Sequence, residues 1–390
     1  MLHQKPYPSR HSHRFTEALL HLLSILLAWL GKNIVLTIAF FAALITSCIV
    51  PPDAAYTSYF DLKTLTCLFC VLAVVCALKN VKFFTILARK IVDCTGNLRV
   101  ATIALVYITF IGSMLIANDM ALLTFLPLGY FVLSSTGKEK HMAFVFIMQN
   151  IAANLGGMLT PFGNPQNLYL YTKFAIPTLE FMQIMLAPFL ASIALITVCC
   201  LFMPRDPLTI EEECPYRLQP KKTVLYLLLF ALSIIIVFRV IPYWIGLIVI
   251  PAVLLFADRK ALRAVDYPLL LTFVCFFIFA GNMARIPAVS DLFSSLLEKN
   301  TLLVSVLSCQ VISNVPSAIL LSQFTADYQS LLLGVNIGGA GTLIASLASL
   351  ITFREYTAHN PGKAGKYLLL FSAFNFGFVI LLTVLCSVLI

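Results

Sequence analysis

Apolar runs of about 20 residues, long enough to cross a bilayer, recur along most of this 390-residue chain, separated by short polar connections. The pattern predicts spans at 33–50 and 62–78, then an apolar–polar–apolar stretch with Asn118-Asp119 at its centre. Basic residues flank that stretch on both sides, so it reads as a hairpin over 100–136 that enters and leaves through the same membrane face. A span over 142–171 is interrupted by 154–169, NLGGMLTPFGNPQNLY. Another span follows before the polar connection 204–222. The second half repeats this order, with a hairpin over 301–325 centred on Ser313-Asn314 and an interrupted span over 328–353.

The two interruptions align without a gap. NLGGMLTPFGNPQNLY faces 336–351, NIGGAGTLIASLASLI, and pairs Asn154, Gly156, Gly157 and Thr160 with Asn336, Gly338, Gly339 and Thr342. Asn164 and Asn167 fall opposite Ser346 and Ser349. Non-helical backbone is tolerated at membrane depth only where protein or a water-filled cavity satisfies it. Broken segments at matching places in two halves point to a transporter binding site. A pair of glycine-rich kinks that let helices pack closely would explain the glycines but not the repeated amides and hydroxyls.

Charge then orients the halves. Lys79 to Arg99, Lys138 and Lys140 mark one face as cytoplasmic; the second hairpin has acidic flanks (Asp291, Glu298, Asp327) and is expected to enter from outside. The expected fold is an all-α polytopic membrane protein of two inverted repeats, each with a re-entrant helical hairpin and an interrupted transmembrane helix, with about nine full spans. Its parts are a basic tail and interfacial helix (1–31), repeat 1 (32–203), a cytoplasmic loop and linking span (204–241) and repeat 2 (242–390). The N-terminus is expected in the cytoplasm and the C-terminus outside, in the cell (inner or plasma) membrane.

With 60% hydrophobic and 11% charged residues the chain is no soluble domain, and its net charge of +9 lies in short loops rather than in a nucleic-acid surface. Most of the eleven cysteines sit in apolar runs and read as small hydrophobes, Cys67-x-x-Cys70 included. No catalytic residues or cofactor are expected, and nothing resembles a zinc helix, a nucleophile elbow or a phosphate loop.

The expected binding residues are Asn118, Asp119, Thr160, Gly163, Asn164, Gln166 and Asn167 from the first half, and Ser313, Asn314, Thr342, Ser346 and Ser349 from the second. Half-helix N-termini attract anions, while freed carbonyls with Asn, Ser and Thr oxygens suit Na⁺. Asn118, Asp119, Ser313 and Asn314 are the candidate Na⁺ ligands. Asp119 is the only acid in a hairpin tip, and a carboxylate at that depth is a functional candidate, for a cation or a proton. Capping the helix that follows is the other reading of Asp119. Arg239 and Arg285, near the outer ends of spans, read as side chains that snorkel to the interface.

On Thr160-Pro161-Phe162-Gly163-Asn164-Pro165-Gln166-Asn167 and Gln310-Val311-Ile312-Ser313-Asn314-Val315-Pro316, the chain resembles the ion transporter superfamily. That group holds citrate and divalent-anion/sodium symporters, arsenite permeases and some sodium/proton antiporters. The chain looks most like bacterial inner-membrane permeases with a citrate-transporter-like domain. The resemblance implies a homodimer, elevator-type alternating access, a small anionic substrate and Na⁺ or H⁺ as coupling ion. In the divalent-anion symporters both tips read Ser-Asn-Thr; here they read Ala117-Asn118-Asp119 and Ser313-Asn314-Val315. A carboxylate in the tip is more at home in a proton- or cation-coupled exchanger.

Overall fold

The fold was read from a computed structural model that describes residues 33–208 and 218–389. The expected tail and interfacial helix over 1–31, and part of the 204–222 connection, lie outside the described residues. The chain is an all-α polytopic membrane protein: among the described residues eight helices are long and apolar enough to span a bilayer, and two shorter apolar ones accompany them.

The first half runs α1 (Ile34–Ile49), α2 (Leu62–Asn80), α3 (Phe83–Asp93), the hairpin α4 (Leu98–Ile116) and α5 (Asn118–Ser135), then the broken pair α6 (Met142–Gly156) and α7 (Pro165–Lys173), and α8 (Thr178–Leu201). Helix α9 (Pro220–Val237) links the halves. The second half runs α10 (Tyr243–Ala257), the short α11 (Arg259–Arg263), α12 (Tyr267–Ala284), α13 (Pro287–Ile312), α14 (Asn314–Leu321), the broken pair α15 (Tyr328–Gly338) and α16 (Leu347–His359), and α17 (Ala364–Leu389). Helix α13 is two pieces, because Asn300 leaves helical geometry (ψ 90°) and its side chain accepts from Leu303 N at 2.8 Å. The lateral piece ends at that point and the hairpin arm begins.

Short acidic side chains start the matching spans. Asp61 accepts from Thr64 N at 2.9 Å, and Asp266 from Leu269 N at 2.9 Å, each taking one of the N–H groups a helix start leaves unpaired. Helix α3 falls in the basic stretch that the sequence pattern leaves as a cytoplasmic connection. It is amphipathic, and its buried Arg89 bonds Asp93 at 2.7 Å and lies 4.3 Å over the Phe131 ring.

The broken helices run antiparallel. Asn360, just past α16, bonds Met142 at the start of α6, and Thr352 meets Asn150 at 3.4 Å. At the other end Phe174, after α7, lies 5.6 Å from Tyr328, which starts α15. The hairpins open toward opposite ends of this pair. Tyr130, low on α5, stacks on His359 at 3.6 Å, whereas the foot of α14 meets the α7 end through Lys173 and Gln323 at 3.2 Å. Around this unit α1 packs on α12, and α2 on α9 and α10, so helices of one half are covered by the other.

Arg239 turns inward rather than snorkelling, whereas Arg285 stays exposed and is engaged at the surface by an ion pair. Arg285 forks onto Asp53 (3.0 and 2.7 Å) and reaches Tyr59 at 3.1 Å. That guanidinium holds the Asp53 carboxyl below the ordinary carboxylate range. Arg239, at a positive φ of 63°, lies 3.9 Å over the Tyr171 ring and donates to the carbonyls of Tyr171 and Ile176. It thereby ties the end of α9 to the carbonyl end of α7, where a cation is favoured.

Candidate functional site

Both hairpins turn on one residue held in the same unusual backbone state, Ala117 (φ 67°, ψ 153°) and Ser313 (φ 76°, ψ 160°). That region is nearly glycine-only and costs an L residue about 1–3 kcal/mol. The following asparagine then starts the outgoing helix. Asn118 Oδ1 accepts from Asp119 N, and Asn314 Oδ1 from Val315 N, both at 2.9 Å. At the first tip the one helix-start N–H taken by a side chain goes to Asn118, and the Asp119 carboxylate caps nothing: its buried Oδ1 has no hydrogen-bond partner among the described residues.

The breaks facing these tips are also built alike. Thr160 Oγ1 donates to Met114 O at 2.9 Å and Thr342 Oγ1 to Gln310 O at 3.1 Å. Each loop threonine so fastens its loop to the incoming arm of its own hairpin. Gln310 strengthens the second junction, accepting from Thr342 N at 2.8 Å and donating to Gly338 O at 3.0 Å. Gly163 makes a close approach that a side chain would spoil, since a Cβ there would strike Gly157 O and Thr160 Oγ1.

Asparagines join the halves. Asn336 Nδ2 donates to Asn167 Oδ1 at 2.6 Å, while Asn164 Nδ2 donates to Asn336 Oδ1 at 3.4 Å. Asn167 Nδ2 also reaches the carbonyls of Gly157, Met158 and Thr160 at 3.2–3.4 Å, holding the first loop in shape. Asn118 Nδ2 donates to Asn154 Oδ1 at 3.3 Å, and Asn154 continues to Asn150 O at 3.1 Å. Asn118, Asn164 and Asn167 are thus brought into one buried chain of amides. Ser313 and Asn314 gather instead at Ala345 O, and Ser346 caps α16 by accepting from Ser349 N at 3.2 Å, with the Ser349 hydroxyl 3.0 Å from its own.

No hydrogen bond among the described residues joins the Asn118-Asp119 tip to the Ser313-Asn314 tip. The four candidate Na⁺ ligands therefore stand as two half-sites, and an ion at either tip would draw its further ligands from the facing loop. The buried side-chain oxygens without a partner among the described residues include Asp119 Oδ1 on the first tip, Asn164 Oδ1 just before α7 and Gln166 Oε1, the second residue of that helix. A buried acceptor without a donor costs about 1–3 kcal/mol, which a bound cation or a proton on Asp119 would offset.

Sequence reasoning left Asn154, Asn336, Gln310 and Asn150 outside the site. Asn154 and Asn336 were visible as the leading matched pair of the repeat. Gln310 and Asn150 lie within apolar helices, and no spacing rule reveals what they touch.

The citrate transporter family matches this chain over residues 22–330. The chain is 33% identical over 311 residues to Uncharacterized transporter MJ0456 of Methanocaldococcus jannaschii, covering 79% of this chain and 84% of that protein. It is 29% identical over 282 residues to Inner membrane protein YbiR of Escherichia coli K12, covering 70% and 74%. With matched tips, matched breaks and this extent of similarity, the chain is a multi-pass membrane transporter belonging to the citrate transporter family.

Proposed function

We propose that the protein is a secondary-active transporter of a small inorganic or carboxylate anion, coupled to Na⁺ or H⁺ and working by elevator-type alternating access as a homodimer. The observation that carries this is the unpartnered Asp119 carboxylate at a strained hairpin tip. An anion approaching that tip meets a like charge at low dielectric, where repulsion is strong. Once Na⁺ or a proton neutralises Asp119, the helix starts at Asn118, Pro165, Asn314 and Leu347 offer N–H groups to the anion. Coupling follows because the anion settles only after the cation. The hairpins and broken helices, joined through Asn118–Asn154, Asn164–Asn336 and Asn314–Ala345, form the moving unit. The basic loops support a cytoplasmic N-terminus and an external C-terminus in the inner or plasma membrane.

A cation/proton antiporter or arsenite-type exporter is the second reading. It is favoured by the unpartnered Asp119 oxygen at the first tip being an acceptor, which suits a cation without any anion. A channel is the rival from another class. Purified protein in liposomes, given labelled citrate or arsenite under an imposed Na⁺ or pH gradient, tests the three. Gradient-driven anion uptake with counterflow supports the proposal. Na⁺/H⁺ exchange with no permeant anion present overturns it, as does ohmic current without counterflow.

A further inference from the structure

The helices packed around the hairpins and broken helices hold one another with polar bonds of their own. Asn80, at the end of α2, donates to Asp258 Oδ2 at 2.9 Å. Asn282 of α12 donates to Ser47 of α1 at 3.2 Å, and Arg285 past α12 forks onto Asp53. Rings meet the broken helices at two places. Phe277 of α12 lies 5.6 Å from Tyr169 of α7, and Phe238, just past α9, lies 5.8 Å from Phe162 in the first break. Apolar contact is non-directional, so ring pairs such as these can slide past one another and re-form.

Arg239, the next residue after Phe238, makes a contact of a different kind. Its guanidinium crosses from the end of α9 to the outer end of α7, where Nη1 donates to Ile176 O at 3.2 Å and Nη2 to Tyr171 O. The same group lies 3.9 Å over the Tyr171 ring. Two carbonyls and a ring face thus fix one planar cation, an arrangement that the point charge of a lysine does not copy. No carboxylate among the described residues forms an ion pair with Arg239. Its backbone is left-handed, at φ 63°, a state that glycine takes more readily. The path of the loop alone therefore does not account for an arginine here, whereas the bonds its side chain makes do.

We infer that Arg239 is a latch of the transport cycle: it fastens the moving unit, at the outer end of α7, to the helix that links the halves, and it lets go when the unit shifts. The latch rests on the elevator reading, in which α7 travels past α9 as part of a rigid body. Hydrogen bonds fade within a fraction of an ångström beyond their normal length, so the Arg239 fork does not survive such a displacement, while the ring contacts beside it are replaced by others. A contact made in one state and lost in the other biases the balance between them. Arg239 accordingly sets how much of the protein rests in the arrangement seen here.

The test uses the full-length protein in nanodiscs, with spin labels carried by non-canonical residues at two exposed positions. One is Ser58, in the loop that Arg285 fastens to α12, and the other is Ala358, near the end of α16 in the moving unit. Labelled chains are diluted with unlabelled ones, so that pulsed electron resonance reads the distance within one chain. The parent should show the distance of this structure as its main population and a second, shifted one. Arg239→Gln, which removes the fork and the charge, should move the balance toward the second distance by about tenfold. Arg239→Lys keeps the charge without the planar fork and should move it less; it carries the test if the glutamine variant does not fold. Tyr171→Phe, which leaves the ring face and the carbonyl in place, should keep the parent's proportions. Two distances in the same proportions in the parent, Arg239→Gln and Arg239→Lys overturn the latch and leave the elevator reading standing. One distance in the parent and in both variants removes the elevator reading, and the latch with it.

Discussion

The two hairpin tips share a backbone and differ in how they are held. At the second, Asn314 N and Ser313 Oγ both donate to Ala345 O, at 2.9 and 3.2 Å, so the tip is bolted to the loop it faces. At the first, the position of Ser313 is taken by Ala117, which has no hydroxyl, and the contact with the broken segment is one amide bond of 3.3 Å to Asn154. In exchange the first tip carries Asp119 where the second carries Val315. Duplicated geometry with unequal chemistry indicates a division of labour. On the proposed function, the second tip would be a fixed wall and the first the one whose charge state decides what binds.

Asp119→Asn tests that division with the largest effect. Losing a charge-assisted contact of about 2 kcal/mol weakens coupling-ion affinity by about 30-fold, and uptake at a fixed gradient should collapse while expression holds. Liposome uptake over a pH series measures it; wild-type transport throughout would leave Asp119 no more than a favourable charge in the first turn of α5. Val315→Asp, the reciprocal change, should not rescue it, because the second tip is already held by the bonds of Asn314 N and Ser313 Oγ to Ala345 O.

Gly163→Ala comes next. The second loop already has alanine at the aligned position, Ala345, but at Gly163 a Cβ would meet Gly157 O. Overpacking of this kind costs about 1–3 kcal/mol, so the apparent melting temperature should drop. An unchanged value would show that the first loop has the slack of the second.

Relief of backbone strain sharpens the contrast further. Ala117→Gly removes a strain of about 1–3 kcal/mol and adds about 0.5–1 kcal/mol of unfolded-state freedom, for a net gain of about 1 kcal/mol. Ser313→Gly gains less, since it also loses the bond to Ala345 O, worth about 1 kcal/mol. Thermal unfolding of the two variants side by side reads the difference, and equal gains would mean the Ser313 bolt contributes nothing.

The smallest effect concerns the feet of the hairpins. Lys138 bonds Asp206 at 2.8 Å and holds that carboxyl below its ordinary range. The pair therefore contributes at neutral pH and above, and its contribution fades as acid takes the medium down through the lowered value. Asp206→Asn should flatten that acid limb slightly, and a steeper limb would contradict the assignment.

Much of this was legible beforehand. The tips Asn118-Asp119 and Ser313-Asn314 stood out because polar pairs inside apolar hairpins have few explanations, and the breaks stood out because glycine, proline and amides cluster there. Helix α3 was missed because its basic face resembles a loop in a charge count, while its apolar face is too short to read as a span. Arg239 was misplaced because position along a span says nothing about direction: the Tyr171 ring and the carbonyls of Tyr171 and Ile176 lie inward. The capping role considered for Asp119 has no hydrogen bond behind it: its Oδ1 takes no N–H, and the N–H a side chain does take at this helix start is that of Asp119 itself, accepted by Asn118.

Asn336 holds Asn164 with its oxygen and Asn167 with its nitrogen, and so closes across the midline of the molecule what neither half closes alone. Mutational effects at these three positions will consequently fail to add, each single loss stranding the other two.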